Sequence, residues 1–386
     1  MLSSIGDELY AMAFVWFAVT LIGANTGYLS AVQSLALVLV SLFGGKWADQ
    51  WDHFKTLVRT DLIRGVIVLI PVLYAMFFHL SLSVLFASSI FISALCGFFD
   101  PALSAIVPSY CSDNKTLQAA NGLMSTTIRM ARVLAPIIIG CLTGLIPMIH
   151  FFTIDAFTFF FSAITVMMLM KHPILKPSKS VRPEKSGILK SLKIAIQTAG
   201  RNATISRALT IKSIAGGMWK MAYVLGIALL IKEHVVGNIK AYGIVMGAYG
   251  LGNILTALYL GNRERKHPEA LMYVGFMILG LGFIWIGFST TLISLSLAAA
   301  FTAIGGPMND LPFADLVMAE YETHDIARLF RLRTATETGC GLIAYLSAPF
   351  LFQLFSVPSV VMSVGVLTLA LGTYGRINTV PASIKA

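Results

Sequence analysis

Charge is what this chain has least of. Asp, Glu, Lys and Arg make up 12% of its 386 residues, about half the share of a soluble domain. So little charge cannot clothe a water-facing surface, and a soluble globular fold is excluded. No G-x-x-x-x-G-K-[ST] phosphate loop occurs, so ATP-driven transport is not expected. A basic leader is also missing, and Asp7 and Glu8 interrupt the first apolar stretch. A cleavable signal is therefore not expected, and the first span reads as a retained, polar helix. The four cysteines, Cys96, Cys111, Cys141 and Cys340, show no metal-ligand or redox spacing and read as small apolar residues in helices. The seven histidines are dispersed. No metal or cofactor is expected. An integral-membrane transferase, which needs clustered His, Asp or Ser, is left as a distant alternative to a non-enzymatic role.

What the chain has is apolar length. It is 57% hydrophobic with a mean hydropathy of +0.80. A helical span takes roughly 20 such residues, so the length holds about a dozen spans and no sizeable soluble domain. Spans are expected at about 4–22, 27–44, 57–78, 81–100, 125–147, 149–170, 208–231, 239–260, 269–288, 290–308, 334–354 and 356–375.

The net charge of +10 lies between apolar segments, which points to lipid and not to nucleic acid. Loops after even-numbered spans carry Lys46, Lys55 and Arg59, then Lys115, then a run from Lys171 to Arg207, then Arg263, Arg265 and Lys266, then Arg328, Arg331 and Arg333. Loops after odd-numbered spans offer Lys232 and Lys240. This asymmetry predicts cytoplasmic termini and a cytoplasmic central loop. That loop begins "KHPILKPSKSVRPEKSG", a flexible basic linker, and continues as "ILKSLKIAIQTAGR", an amphipathic helix expected on the inner leaflet. The expected organisation is a six-helix bundle over 1–171, a linker over 172–207 and a second bundle over 208–386. "GFFDPALSAIVPSY" after span 4 stands where "GGPMNDLPFADLVM" stands after span 10, as a duplicated architecture predicts.

The loop after span 2 runs from Gly44 to Lys55 as "GGKWADQWDHFK". It resembles the signature between the second and third helices of the major facilitator superfamily. Gly45, Asp49 and Lys55 match; Asp52 stands where the pattern prefers Gly, and His53 where it prefers Arg. Residues 98–140 are similar to the span 4 to span 5 region of the macrolide-efflux and siderophore-exporter branch, through Phe98, Phe99, Pro101, Ala102, Pro108, Leu117, Ala120, Asn121, Arg132, Pro136 and Gly140. "FTIDAFTFFFSAI" with Asp155 and "IARLFRLR" at 326–333 resemble it too. Two departures stand out. "ARVLAPIIIG" is poorer in Gly than the family's antiporter motif. Ser3, Ser4, Gly6 and Asp7 lie earlier than in the branch, so the first helix looks shortened.

The resemblance implies an all-α integral membrane fold of two six-helix bundles, about 12 transmembrane helices with pseudo-two-fold symmetry. It implies export of a drug-like compound, siderophore or peptide-like metabolite by alternating access, as a proton antiporter of multidrug-resistance type. Import of a small metabolite on the same fold is the alternative. The implied partners are the substrate, protons and the bilayer, in a monomer of the bacterial inner membrane. Gly45, Asp49 and Lys55 are implied as a gating loop.

Other candidates come from charge inside spans, which is costly in lipid and marks function or pairing. Asp7 and Glu8 read either as proton or substrate carboxylates or as surface helix caps. Arg129 and Arg132 share a face of span 5 and need a counter-charge, for which Asp7, Glu8 and Asp155 are the candidates; they read as an anion site or a carboxylate–arginine switch, or as snorkelling to the cytoplasmic surface. Asp155 reads as functional or as hydrogen-bonded to a neighbouring helix. Asp100 reads as a cap or pair. Lys220, central in span 7 and flanked by Trp219 and Tyr223, is placed to meet an acidic substrate, while Lys212 is expected to snorkel. Gly243, Gly247 and Gly250 read as a close-packing face, and Gly305-Gly306-Pro307 as a break or an end of span 10.

Overall fold

The computed structural model describes residues 2–43, 51–79, 81–111, 114–170, 188–235, 238–261, 263 and 265–379. Every regular element among them is helical. In chain order these are α1 (Leu2–Ile22), α2 (Thr26–Phe43), α3 (His53–Phe77), α4 (Leu82–Tyr110), α5 (Asn114–Leu142), α6 (His150–Met170) and the short α7 (Ile188–Gly200). Then follow α8 (Ala203–Trp219, continuing to Val235), α9 (Ile239–Gly261), α10 (Pro268–Phe288), α11 (Leu292–Glu320), α12 (Thr323–Leu354) and α13 (Val357–Ile377). All but α7 are long enough to span a bilayer.

Local chemistry sets the helix starts. Asp52 accepts hydrogen bonds from the amides of Phe54 (3.0 Å) and Lys55 (3.2 Å) at the head of α3. Asn202 caps α8 through Thr204 (2.9 Å) and Ile205 (3.3 Å), and Thr291 caps α11 through Ser294 (3.2 Å). Each cap satisfies amides that the first helical turn leaves without partners.

Several expected boundaries move. The fourth span runs on to Tyr110, so Asp100 sits exposed within α4 and caps nothing. The fifth starts at Asn114 and ends at Leu142. The eleventh starts at Thr323, before the arginines expected in a loop. Gly305-Gly306-Pro307 neither breaks nor ends its helix: α11 continues to Glu320, carrying Pro307 and Pro312 inside it. The four extended helices keep their polar ends regular, where hydropathy alone signals a loop.

The chain divides into two compact units, Met1–Leu21 with Leu29–Lys185, and Ile22–Tyr28 with Ser186–Ala386. In the first, α3 packs along α4 and α6. In the second, α10 lies against α11 and α13, α9 against α11, and α12 against α8. The amphipathic α7 docks on α12 through a face of Ala195, Thr198 and Ala199, and the Tyr321 hydroxyl donates to the Thr198 carbonyl (3.0 Å). Large apolar side chains such as Phe77, Leu255, Ile293 and Leu367 point outward. In water this would be an aggregation surface; in lipid it is the ordinary solvent-facing side.

Helix association in lipid depends on close backbone approach. α10 and α13 achieve it at Gly280 and Gly365: a methyl on Gly280 would stand 2.6 Å from the Gly365 carbonyl oxygen, and one on Gly365 would stand 2.7 Å from that of Gly280. Gly280→Ala is therefore expected to lower stability by about 1–3 kcal/mol. Gly140→Ala, which meets nothing within 4 Å, is expected to leave it unchanged. Thermal unfolding of the two purified variants in the same detergent checks the contrast.

Candidate functional site

In the first unit the site grows from Arg64. Asp61 and Arg64 are three residues apart on α3 and so share a face. Arg64 is 5% exposed and Asp61 is fully buried. The guanidinium donates from Nη2 to Asp7 Oδ1 of α1 (2.8 Å), and its Nη1 lies 3.5 Å from Asp61 Oδ1. It lies between two aromatic rings, 4.2 Å from the centroid of Phe159 and 5.1 Å from that of Phe99. These faces favour a cation where water is excluded. Asp155 of α6 is also buried, with Gly6 of α1 against it; Thr158 donates to its Oδ1 at 3.4 Å. Next to Asp7 in the chain, Glu8 accepts from Arg132 Nε of α5 (3.1 Å), a more exposed pair. Arg132 thus has the carboxylate that its place in a span requires. Arg129 lies one turn earlier on α5.

The cluster sets four carboxylates, Asp7, Glu8, Asp61 and Asp155, against two guanidiniums, Arg64 and Arg132. Several of its buried polar atoms have no hydrogen-bond partner among the described residues: Oδ2 of Asp155, Nε of Arg64 and the Tyr10 hydroxyl. Buried polar groups are ordinarily satisfied, so such a concentration sets this cluster apart from the rest of the unit's interior.

The second unit is built differently. Lys212 does not snorkel. It is buried, donates to Asp310 (2.6 Å) and to Asn309, and lies 5.8 Å from the ring centroids of both Phe276 and Phe313. The expectation failed because α8 turns this lysine toward α11, where a carboxylate waits. Arg333 of α12 completes the network, donating to Asp310 (3.0 Å) and Glu337 (2.8 Å). Two cations meet two anions here, and the charges balance.

Lys220, two turns further along α8, has no hydrogen bond or ion pair among the described residues. Trp219 and Tyr223 stack on one another (4.5 Å, 15°), Tyr223 also lies 4.3 Å from the Tyr249 ring, and the Trp219 indole donates to the Tyr249 hydroxyl (3.0 Å). At Lys220 the helix widens into a π-helical stretch through Gly226, and it does so again over Ile231–Val235. Such stretches are rare and frequent at functional sites. Gly243, Gly247 and Gly250 are buried in α9.

Gly45 and Asp49 of the expected gating loop lie outside the described residues. Lys55 is exposed and pairs loosely with Asp52 at 3.8 Å. At helix ends of the second unit, Arg207 pairs with Glu269 (2.9 Å), and Arg265 grips Asp315 with two nitrogens.

Sequence reading singles out Asp7, Glu8, Arg132 and Asp155, and the structure gathers them in one unit. It passes over Asp61, Arg64, Asn309, Asp310, Arg333 and Glu337 as site residues. A signal is there: Asp61 with Arg64 and Arg333 with Glu337 are opposite charges at helical spacing beside or within apolar stretches.

Long apolar helices in two units, with ionisable groups turned inward, define a multi-pass membrane transporter of the major facilitator type. Residues 1–307 match the family described as Transmembrane secretion effector, a major facilitator family, and the chain belongs to it. A relative from Bacillus subtilis (strain 168), the uncharacterized MFS-type transporter YfiS, is 23% identical over 292 residues. That match covers 72% of this chain and 66%, just under two thirds, of the relative. The chain is similar in fold to the peptide transporter POT solved with sulfate: TM-score 0.72, 14% identity, 97% of this chain and 92% of the other. It is similar as well to the POT family transporter PepTSo: TM-score 0.70, 14% identity, 98% and 96% covered.

Arg64 is the hub, and Arg64→Met leaves three carboxylates without it. The expected loss is about 3 kcal/mol or more, partly recovered in the double variant with Asp61→Asn. Arg132→Met, at a pair 62% exposed on its arginine side, is expected to cost about 1 kcal/mol or less. Thermal unfolding of the three variants provides the comparison.

Proposed function

We propose that this protein is a proton-coupled antiporter that exports a small molecule across the bacterial inner membrane by alternating access. The observation that carries the reading is the crowding of carboxylates around Arg64 in the first unit, where Asp61 and Asp155 are buried and Asp7 holds the guanidinium. With that one guanidinium already engaged by Asp7, a low-dielectric interior favours a bound proton over an uncompensated negative charge. Around Arg64, Asp7, Asp61 and Asp155 compete for one guanidinium, so a proton gained or lost by one carboxylate changes which partner Arg64 holds. This couples protonation to the packing of α1, α3 and α6, with Glu8 and Arg132 as a second pair beside it. The loop holding Gly45, Asp49 and Lys55 serves as the gate, in a monomer with both termini in the cytoplasm.

Export is favoured by the family's description, which names secretion. The cargo is a drug-like compound, a siderophore or a peptide-like metabolite. Import is the second reading, since the fold runs both ways and its solved neighbours include peptide transporters.

The test compares medium and cell extract of a deletion strain with its complemented parent by mass spectrometry, in rich and in iron-starved culture. A compound absent from the deletion medium and retained in the cells is the expected result. A compound left unconsumed in the medium would overturn export in favour of import. With that compound in hand, Asp61→Asn is expected to lose at least about tenfold of the transport driven by a pH gradient while keeping exchange between two substrate pools. Gradient-driven transport at the parental rate would remove the first-unit cluster from the coupling step.

A further inference from the structure

Among the cations set within the spans of the second unit, Lys212 and Arg333 each have a carboxylate in contact. Lys220 has none among the described residues. The carboxylate that acts on it from nearby is Glu337, and Glu337 is already held by Arg333 at 2.8 Å. Lys220 stands at the middle of α8, which runs from Ala203 to Val235, so it lies near the centre of the bilayer. An ammonium there, left only a carboxylate that Arg333 already holds, is costly, and an anion brought from outside the chain would offset the cost.

The surroundings say what kind of anion. Gly341 of α12 lies directly under the lysine: a methyl there would stand 2.6 Å from Lys220 Cδ and 2.8 Å from Nζ. The missing side chain lets the lysine extend across α12. On the same stretch of α8, Trp219 and Tyr223 form a stacked, half-buried aromatic pair backed by Tyr249. The Tyr249 hydroxyl accepts from the Trp219 indole, so the indole offers flat apolar surface with its one polar atom already engaged.

We infer that the second unit binds an organic anion, with Lys220 taking its charged group and Trp219 with Tyr223 taking a planar apolar body. The inference rests on the transporter reading and names the chemical class of its cargo. It deepens the expectation that Lys220 meets an acidic substrate.

The test is equilibrium binding of 2-naphthoate to the purified full-length chain in detergent, followed by quenching of tryptophan fluorescence. The neutral isostere 2-naphthalenemethanol serves as the comparison. Saturable quenching by naphthoate, at least about tenfold tighter than by the alcohol, is expected. Lys220→Gln should abolish this preference, Lys220→Arg should keep most of it, and Trp219→Phe should remove most of the signal. Equal affinity for acid and alcohol in the parent protein overturns the proposal without recourse to any variant. So does an undiminished preference in Lys220→Gln. Because nothing is transported in this assay, failure of the anion site leaves export and proton coupling untouched. Failure of export in the culture test equally leaves the binding result standing.

Discussion

A charge taken out of water must find its compensation within a few ångströms, and in this protein each unit meets that demand differently. The second unit balances most of its charge internally: Lys212 and Arg333 share Asp310, and Glu337 completes the set. The first does not. One guanidinium, wedged between Phe99 and Phe159, is approached by Asp7 and Asp61, with Asp155 buried on the neighbouring helix. The packing of α1, α3 and α6 hangs on how that single positive charge is shared.

The two imbalances are of opposite sign. Under the proposed transport reading, the surplus acid of the first unit is where a proton would bind and the surplus base of the second is where an anion would. A device in which one unit takes the driving ion and the other the cargo needs no single residue to serve both. Under that same reading, exchange would be enforced through a conformational change alone, since each ligand shifts the balance only by its unequal affinity for the two states.

Much of the fold was legible in the amino-acid order. A low share of charge and a long apolar length give a many-span membrane protein, and every expected span has a helix. What escaped were the polar ends of α11 and α12: Asn309, Asp310 and Arg333 look like loop residues to hydropathy, yet lie within regular helix. The site was half legible. Asp7, Glu8 and Asp155 stand out because they interrupt apolar runs. Which partner each would meet depends on long-range packing: Arg64 lies 57 residues from Asp7, and Arg132 lies 124 from Glu8. Lys212 shows the same limit, since its place in a span is visible while the carboxylate waiting on α11 is not.

The π-helical stretches of α8 carry a mechanical consequence. A wider turn holds a spare residue within an unbroken ladder of backbone hydrogen bonds. With one such stretch at Lys220–Gly226 and another at Ile231–Val235, the single α-helical turn between them, Ile227–Leu230, is bounded by slack on both sides. Every side chain of that turn is buried, so the slack sits on either side of a packed segment and not within it.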